Sequence, residues 1–479
     1  MEDMKGKKLA GLRWNLSERA GVQVVQFLPT VVLARLVAPE EFGLIGMLSL
    51  FIALANAFTD SGFGAALIRK KDASYVDECS IFYFNILVGS VVVLILCFAA
   101  PLIAGFYDQP MLTALTRLLS LEILIRSFGL IQTTRLTRQL DFKTQFQANL
   151  FATCAAGALA IAAAYRGWGV WSLALQTLSK VLFGVGALWL ICDWRPALIF
   201  RLASLQEMFG FGSRMLSSGL VSVFFDNLYQ VFIGKVFSAS ALGYFTRAAA
   251  LRSVVLDSSS HALDRVLYPA LASIQDDRAR LQRACRRSLR LATFIHFPMI
   301  MVLIVAADPL INLLFSARWK ESVVFFQLMC ASMLLYPLHV INLDILQVKG
   351  RSDLFLRLEI IKRSMIILNI LITYRWGINA MLLGQCVATL IAYFLNSYYS
   401  ERLIAYALKA QILDVLPAFV FSLVMAGGMM IAGAAMPATN RFMVLTAQTG
   451  LGAGVYLLLH WVKRSEAWKE LVELARQER

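Results

Sequence analysis

Apolar runs long enough to cross a bilayer follow one another along the whole chain, separated by connections of only a few residues. A crossing takes roughly 20 apolar residues, and fourteen such runs can be laid out: residues 11–38, 41–68, 76–106, 112–133, 144–165, 168–192, 205–237, 241–271, 291–315, 322–346, 354–374, 378–399, 412–435 and 442–462. With 479 residues, 59% hydrophobic and 16% charged, the composition excludes a water-soluble globular fold. The expected fold class is all-α: a polytopic membrane protein of fourteen transmembrane helices. The first run carries Glu18 and Arg19 and has no small-residue cleavage site, so it reads as a retained helix rather than a signal peptide. Seven cysteines are scattered singly and without CxxC spacing. They read as small buried hydrophobes, and neither a metal nor a cofactor is expected.

Lys and Arg total 45 against 30 Asp and Glu, and the position of the excess decides what it means. With the N-terminus in the cytoplasm, twenty-six basic loop residues fall on the cytoplasmic side and five on the other (Arg166, Arg318, Lys320, Arg375 and Arg441). One span too many or too few would scramble that alternation. Because basic loops resist translocation, both termini are expected in the cytoplasm. The basic excess is then topological, and a nucleic-acid partner is not expected.

The chain also carries an internal repeat. A shift of 200 residues lays Leu33-Ala34-Arg35-Leu36-Val37 on Ile233-Gly234-Lys235-Val236-Phe237, and Phe42-Gly43-Leu44 on Leu242-Gly243-Tyr244. Trp168-Gly169-Val170 matches Trp376-Gly377-Ile378 at a shift of 208. The matched segments lie six helices apart in the same order and orientation, so spans one to six and seven to twelve read as parallel, pseudo-symmetric repeats. The expected organisation is a six-helix lobe over residues 1–203, a second over 204–409, and two added C-terminal helices with a basic tail over 410–479.

Charges inside the spans are the candidate functional residues. Each costs about 2.5 to 3.5 kcal/mol at a helix centre on insertion scales, so a deep one needs a partner or water. Glu122 and Arg126, one turn apart, read as a structural ion pair. Arg19, Gln23, Gln26 and Thr30 draw a polar stripe down span one at helical spacing. Gln26 and Thr30 fall under the repeat on Asp226 and Gln230 of span seven, where Asn227 is a further polar candidate. Asn56 and Asp60 share a face of span two, Arg247, Asp257 and His261 most of a face of span eight, and Arg252 and Lys180 lie near mid-span. The expectation is a hydrated vault between two bundles. Arg19, Gln23, Gln26, Thr30, Asn56, Asn227, Gln230, Arg247, Arg252, His261 and Lys180 are its substrate-binding candidates, and Asp60, Asp226 and Asp257 its ion-coupling candidates. Guanidinium groups pair with phosphate oxygens, so a phosphorylated substrate is favoured over a cationic one. No G-x-x-x-x-G-K-[ST] loop occurs, which removes that route of ATP hydrolysis. His296, His339 and His460 read as satisfied structural histidines.

The stretch Leu33-Ala34-Arg35-Leu36-Val37-Ala38-Pro39-Glu40-Glu41-Phe42-Gly43, continued by Asp60-Ser61-Gly62-Phe63-Gly64-Ala65-Ala66-Leu67-Ile68, resembles bacterial polysaccharide flippases of the Wzx type, in the colanic-acid-exporter-like branch. Phe209-Gly210-Phe211-Gly212 and Ala241-Leu242-Gly243-Tyr244-Phe245 resemble the same branch, and the likeness covers essentially the whole chain. It implies the multidrug/oligosaccharidyl-lipid/polysaccharide exporter fold, with the first two helices of each lobe lining a central cavity. The implied cargo is a polyprenyl-pyrophosphate-linked oligosaccharide, moved from the cytoplasmic to the outer leaflet of the bacterial inner membrane. Alternating access driven by protons or sodium is expected, with a polysaccharide polymerase and export machinery as possible partners. A drug or small-molecule exporter of the same superfamily is the alternative, against which the deep arginines argue. An enzyme acting on lipid-linked sugar would be expected to carry a large catalytic loop outside, whereas the outer loops read as only a few residues long.

Overall fold

The computed structural model describes the backbone of residues 27–60, 62–436 and 441–477, and their side chains apart from 255–266, 441 and 474–477. Among the described residues the protein is helical with short 3-10 turns and no strands. Contacts divide the chain into two compact units, Met1–Thr246 and Arg247–Arg479.

Unit 1 contains α1 (Phe27–Leu36), α2 (Pro39–Asp60), α3 (Phe63–Arg69), α4 (Tyr75–Tyr107), α5 (Met111–Ser127), α6 (Leu130–Arg138), α7 (Phe142–Tyr165), α8 (Val170–Ile191), α9 (Leu202–Val236) and the start of α10 (Ala239–Ala272). Unit 2 holds the rest of α10 and α11 (Arg278–Val305), α12 (Ala307–Leu314), α13 (Glu321–Met333), α14 (Tyr336–Val348), α15 (Ser352–Thr373), α16 (Ile378–Ile404), α17 (Leu408–Ala435), α18 (Arg441–Lys463) and α19 (Glu466–Gln477). Among the described residues, ten helical stretches are long and apolar enough to cross a membrane. The long helices α10 and α15 are not among them, and they carry charges within the helix, Arg247 and Arg252 on one, Arg357, Glu359, Lys362 and Arg363 on the other. The α5–α6 segment is interrupted after Ser127 and bears Arg117, Glu122 and Arg126. Fourteen crossings are compatible with this pattern.

Small residues decide how closely the helices of unit 1 approach, as expected where lipid removes the hydrophobic drive between helices. A methyl group added at Gly43 of α2 would overlap the carbonyl of Ala239, and one added at Gly243 of α10 would overlap the carbonyl of Pro39. These two contacts exchange under the 200-residue shift, since Pro39 maps on Ala239 and Gly43 on Gly243. Such reciprocity is the signature of an isologous, two-fold contact. Nearby, the Glu41 carboxylate accepts from the backbone N–H of Ala38 at 2.9 Å and of Val170 at 3.0 Å. It thereby places a negative charge at the positive end of α8, and joins the two sequence motifs around Pro39 and Trp168.

Phe63, Leu67, Phe82, Ile131, Trp194 and Met208 form a buried cluster where α3, α4, α6 and α9 meet. In unit 2, α11 packs along α17 and α13 along α16, around Leu281, Leu289, Phe297, Ile341, Ile345 and Tyr406. Large apolar side chains point outward, among them Phe98 at 81% and Leu190 at 87% exposure. That is the surface a lipid-embedded protein needs and a water-soluble one avoids.

Candidate functional site

Unit 1 gathers four of the charged residues singled out from sequence. Arg126 Nη2 lies 2.8 Å from Glu122 Oε1 across one turn of α5, with Glu122 buried and the guanidinium half exposed. The same guanidinium is within electrostatic reach of Asp60 at the end of α2 and of Lys180 on α8, and Lys180 also feels Glu122. The pair expected from sequence is therefore the centre of a four-charge group with two carboxylates and two cations. Its neutrality is what allows it to exist at membrane depth.

A cavity of about 450 Å³ opens beside Asp60. Asp60 and Thr133, Thr134 and Thr137 supply its polar wall, and Gly62, Gly64, Ala65 and Gly219 give it room. The three threonine hydroxyls donate to carbonyls one turn back on α6, at 2.8 to 3.0 Å. This satisfies their protons and leaves the oxygens of Thr133 and Thr134 as acceptors, while that of Thr137 accepts from the Gln145 amide at 2.9 Å. Gly62 sits at φ 68° with the Gly212 carbonyl against it. A side chain there would meet both backbone strain and a neighbouring helix.

The polar stripes are partly described. Ser49 Oγ of α2 donates to Gln230 Oε1 of α9 at 2.6 Å, so spans two and seven meet through polar groups. Asn227 turns back to donate to the Val223 carbonyl at 2.8 Å. Asp226 is exposed, and Thr30 is half-buried on α1, whose Pro29 abuts Gly157 of α7. The side-chain oxygen of Asn56 is buried without a hydrogen-bond partner among the described residues. In unit 2, Arg247 and Arg252 are half-buried on α10, and Arg252 is within electrostatic reach of Cys330 on α13. Arg19, Gln23 and Gln26 lie outside the described residues, as do the side chains of Asp257 and His261. His296, His339 and His460 each have a partner: the Met333 carbonyl, Asn396 and the Ser465 hydroxyl.

Two centres escaped the sequence reading. Glu78, in the first turn of α4, faces Arg135 and Arg138 of α6 at 3.1 and 3.7 Å. Asp414, in the second turn of α17, binds Arg286 and Arg290 of α11, with shortest contacts of 2.8 and 3.0 Å, and accepts from the Tyr406 hydroxyl at 2.8 Å. The arginines had been read as loop charges that set topology. The available signal was an acidic residue just inside each apolar run.

Span pattern, lipid-facing surface and a neutralised charge group at membrane depth define a polytopic helical membrane protein with a transporter-like interior. Its fold is that of a lipid II flippase, MurJ, in an inward-closed conformation, at a TM-score of 0.76 and 14% identity over 95% of this chain and 98% of that one. An inward-facing multidrug resistance MATE family transporter of the MOP superfamily follows, at a TM-score of 0.63 and 16% identity over 80% and 98%. The chain belongs to the polysaccharide biosynthesis protein family, which matches residues 32–324. Its relatives include the teichuronic acid biosynthesis protein TuaB of Bacillus subtilis (strain 168), 26% identical over 72% of each chain. The lipopolysaccharide biosynthesis protein WzxC of Escherichia coli (strain K12) is 24% identical over 82% of this chain and 81% of that one.

Proposed function

We propose that the protein is a flippase, and not an enzyme, that carries polyprenyl-pyrophosphate-linked oligosaccharide units from the cytoplasmic to the outer leaflet of a bacterial inner membrane by alternating access. The names of the relatives support a cargo in cell-surface polysaccharide synthesis, including the succinoglycan biosynthesis transport protein ExoT of Rhizobium meliloti (strain 1021). The observation that carries the reading is the group Asp60, Glu122, Arg126 and Lys180 beside a cavity with hydroxyl-lined walls. Charge placed within apolar spans marks a pathway more often than a scaffold, and hydroxyl walls suit sugars.

In this reading two six-helix lobes, residues 1–203 and 204–409, rock about the α2–α10 contact, with 410–479 appended. Arg19, Arg247 and Arg252 hold the pyrophosphate. Gln23, Gln26, Thr30, Asn56, Asn227, Gln230, His261 and Lys180 meet sugars. A proton or sodium ion acts at Asp60, Asp226 or Asp257. Both termini face the cytoplasm, and a polymerase with its export machinery receives the product. Substituting Arg252→Ala is expected to abolish surface polysaccharide at normal protein levels in the producing strain. Unchanged polymer output would remove Arg252 from the site. Flipping of a defined lipid-linked glycan by purified protein in liposomes, with proton and sodium gradients imposed in turn, tests cargo and coupling together.

A further inference from the structure

We propose that the hollow between α4 and α6 in unit 1 is a pocket for the phosphate of a lipid headgroup. Glu78, Arg135, Arg138 and Gln139 line a space of about 310 Å³, the share of about ten liquid waters. The Glu78 side chain is only 8% exposed and its one carboxylate lies between two guanidinium groups, leaving a surplus of one positive charge among the lining residues. Arg135 donates a single hydrogen bond to it, at 3.1 Å, and Arg138 stands at 3.7 Å, within ion-pair reach but too far to donate. Each guanidinium carries five N–H donors in a planar fork matched to phosphate. Most of those ten are uncommitted among the described residues. Gln139 adds an amide to the same wall.

The carboxylate has a clear role in such a pocket. Two neighbouring guanidiniums repel, and a buried acid between them holds the forks side by side. Asp141 is the next carboxylate along the chain, but it is engaged with the N–H and hydroxyl of Thr144 at 3.0 and 2.7 Å as the cap of α7. The Arg195 guanidinium is engaged with the carbonyls of Trp189, Cys192 and Trp194.

Two observations favour a lipid over a free oxyanion. The pocket is built from the first turn of α4, which is long and apolar enough to cross a membrane, and the last turn of the short α6, and the start of a spanning helix is where headgroups sit. Directly after Gln139, Leu140 and Phe142 are 73% and 56% exposed, an apolar ledge on which a tail can lie. The pocket is argued from this geometry alone and does not depend on the cargo being a prenyl pyrophosphate.

Full-length protein in a phosphate-free maltoside detergent, titrated with farnesyl pyrophosphate, short-chain phosphatidylglycerol and inorganic pyrophosphate, tests this. The double variant Arg135→Gln/Arg138→Gln is expected to raise Kd for the phosphate lipids at least tenfold, and the charge-keeping Arg135→Lys/Arg138→Lys less. Glu78→Gln removes the competing negative charge while keeping a carbonyl oxygen that can accept the Arg135 bond and hold the forks, and is expected to tighten binding. Unchanged Kd in the folded double variant overturns the proposal. So does a Glu78→Gln protein that binds as poorly as the double variant, because the clamp is then only structural. Tighter binding of farnesyl pyrophosphate than of phosphatidylglycerol supports a cargo-type headgroup, and the reverse order supports bulk lipid. Inorganic pyrophosphate binding as tightly as either lipid overturns the lipid assignment.

Discussion

Glu78 in unit 1 and Asp414 in unit 2 are each set between two arginines of one helix, three residues apart on α6 and four apart on α11. The inventories match, but the geometries do not. Asp414 accepts two bonds from Arg286 at 2.8 and 2.9 Å and a third from Tyr406, while Arg290 bridges it to Glu470 of α19 at 3.2 Å. The Asp414 carboxylate is thus held by four short donors, two from Arg286, one from Arg290 and one from Tyr406, and the network ties α11, α17 and α19 into one block. Glu78 makes one hydrogen bond and one long contact, beside open space. An acid held on every side by short donors makes a structural lock, whereas one held loosely beside open space leaves its arginines able to receive something else. The lesson is that counting ion pairs does not reveal function, and asking how fully the central acid is engaged does.

The sharpest way to break this distinction is to remove each acid in turn. Asp414 is 7% exposed and held by four donors, so Asp414→Asn leaves Arg286 without its charge partner and Arg290 with Glu470 alone, and is expected to cost about 3 kcal/mol. This would be read as a marked fall in unfolding temperature in detergent. Glu78→Gln breaks one hydrogen bond to a cation that is itself 36% exposed, and about 1–2 kcal/mol is expected. If the two variants lost equal stability, the difference between lock and receptor would be gone. Smaller still is Lys70→Gln. Lys70 bridges Asp77 at 2.9 Å and a mostly exposed Glu207 at 2.8 Å. The loss should stay within about 1 kcal/mol, and a larger one would mean that unit 1 also contains a lock.

Membrane spans were legible because an apolar run of helical length has few other interpretations in a chain this hydrophobic. The Glu122–Arg126 pair was legible for a similar reason, since four residues is one helical turn. What lay beyond reach is the closure of contacts distant in sequence. Asp60 and Lys180 join Arg126 from 66 and 54 positions away, and Glu78 finds Arg135 at a separation of 57. No periodicity encodes such distances. Positive-inside counting even concealed the clamps, because a loop arginine explained by topology invites no search for a partner. The 200-residue repeat, in contrast, was weak as text yet acquires a physical meaning in the exchanged Gly43–Ala239 and Gly243–Pro39 contacts.

The smallest expected effect concerns pH and the outer edge of the unit 2 lock. Burial raises the Glu470 carboxyl above its ordinary value, with the neighbouring Arg290 and Arg287 pulling it partly back. A raised acid binds its proton more tightly in the folded protein than in the unfolded chain. Its contribution to stability is therefore greatest below the usual glutamate range, near 4.3, and declines as pH climbs through the raised value. Glu470→Gln cannot titrate. The unfolding temperature of the parent minus that of this variant should thus fall as pH is taken from 4 to 8. A difference that stayed level or rose would mean that the bridge to Arg290 outweighs desolvation. The lock would then be held electrostatically at its rim as well as at Asp414, and the contrast with Glu78 would widen.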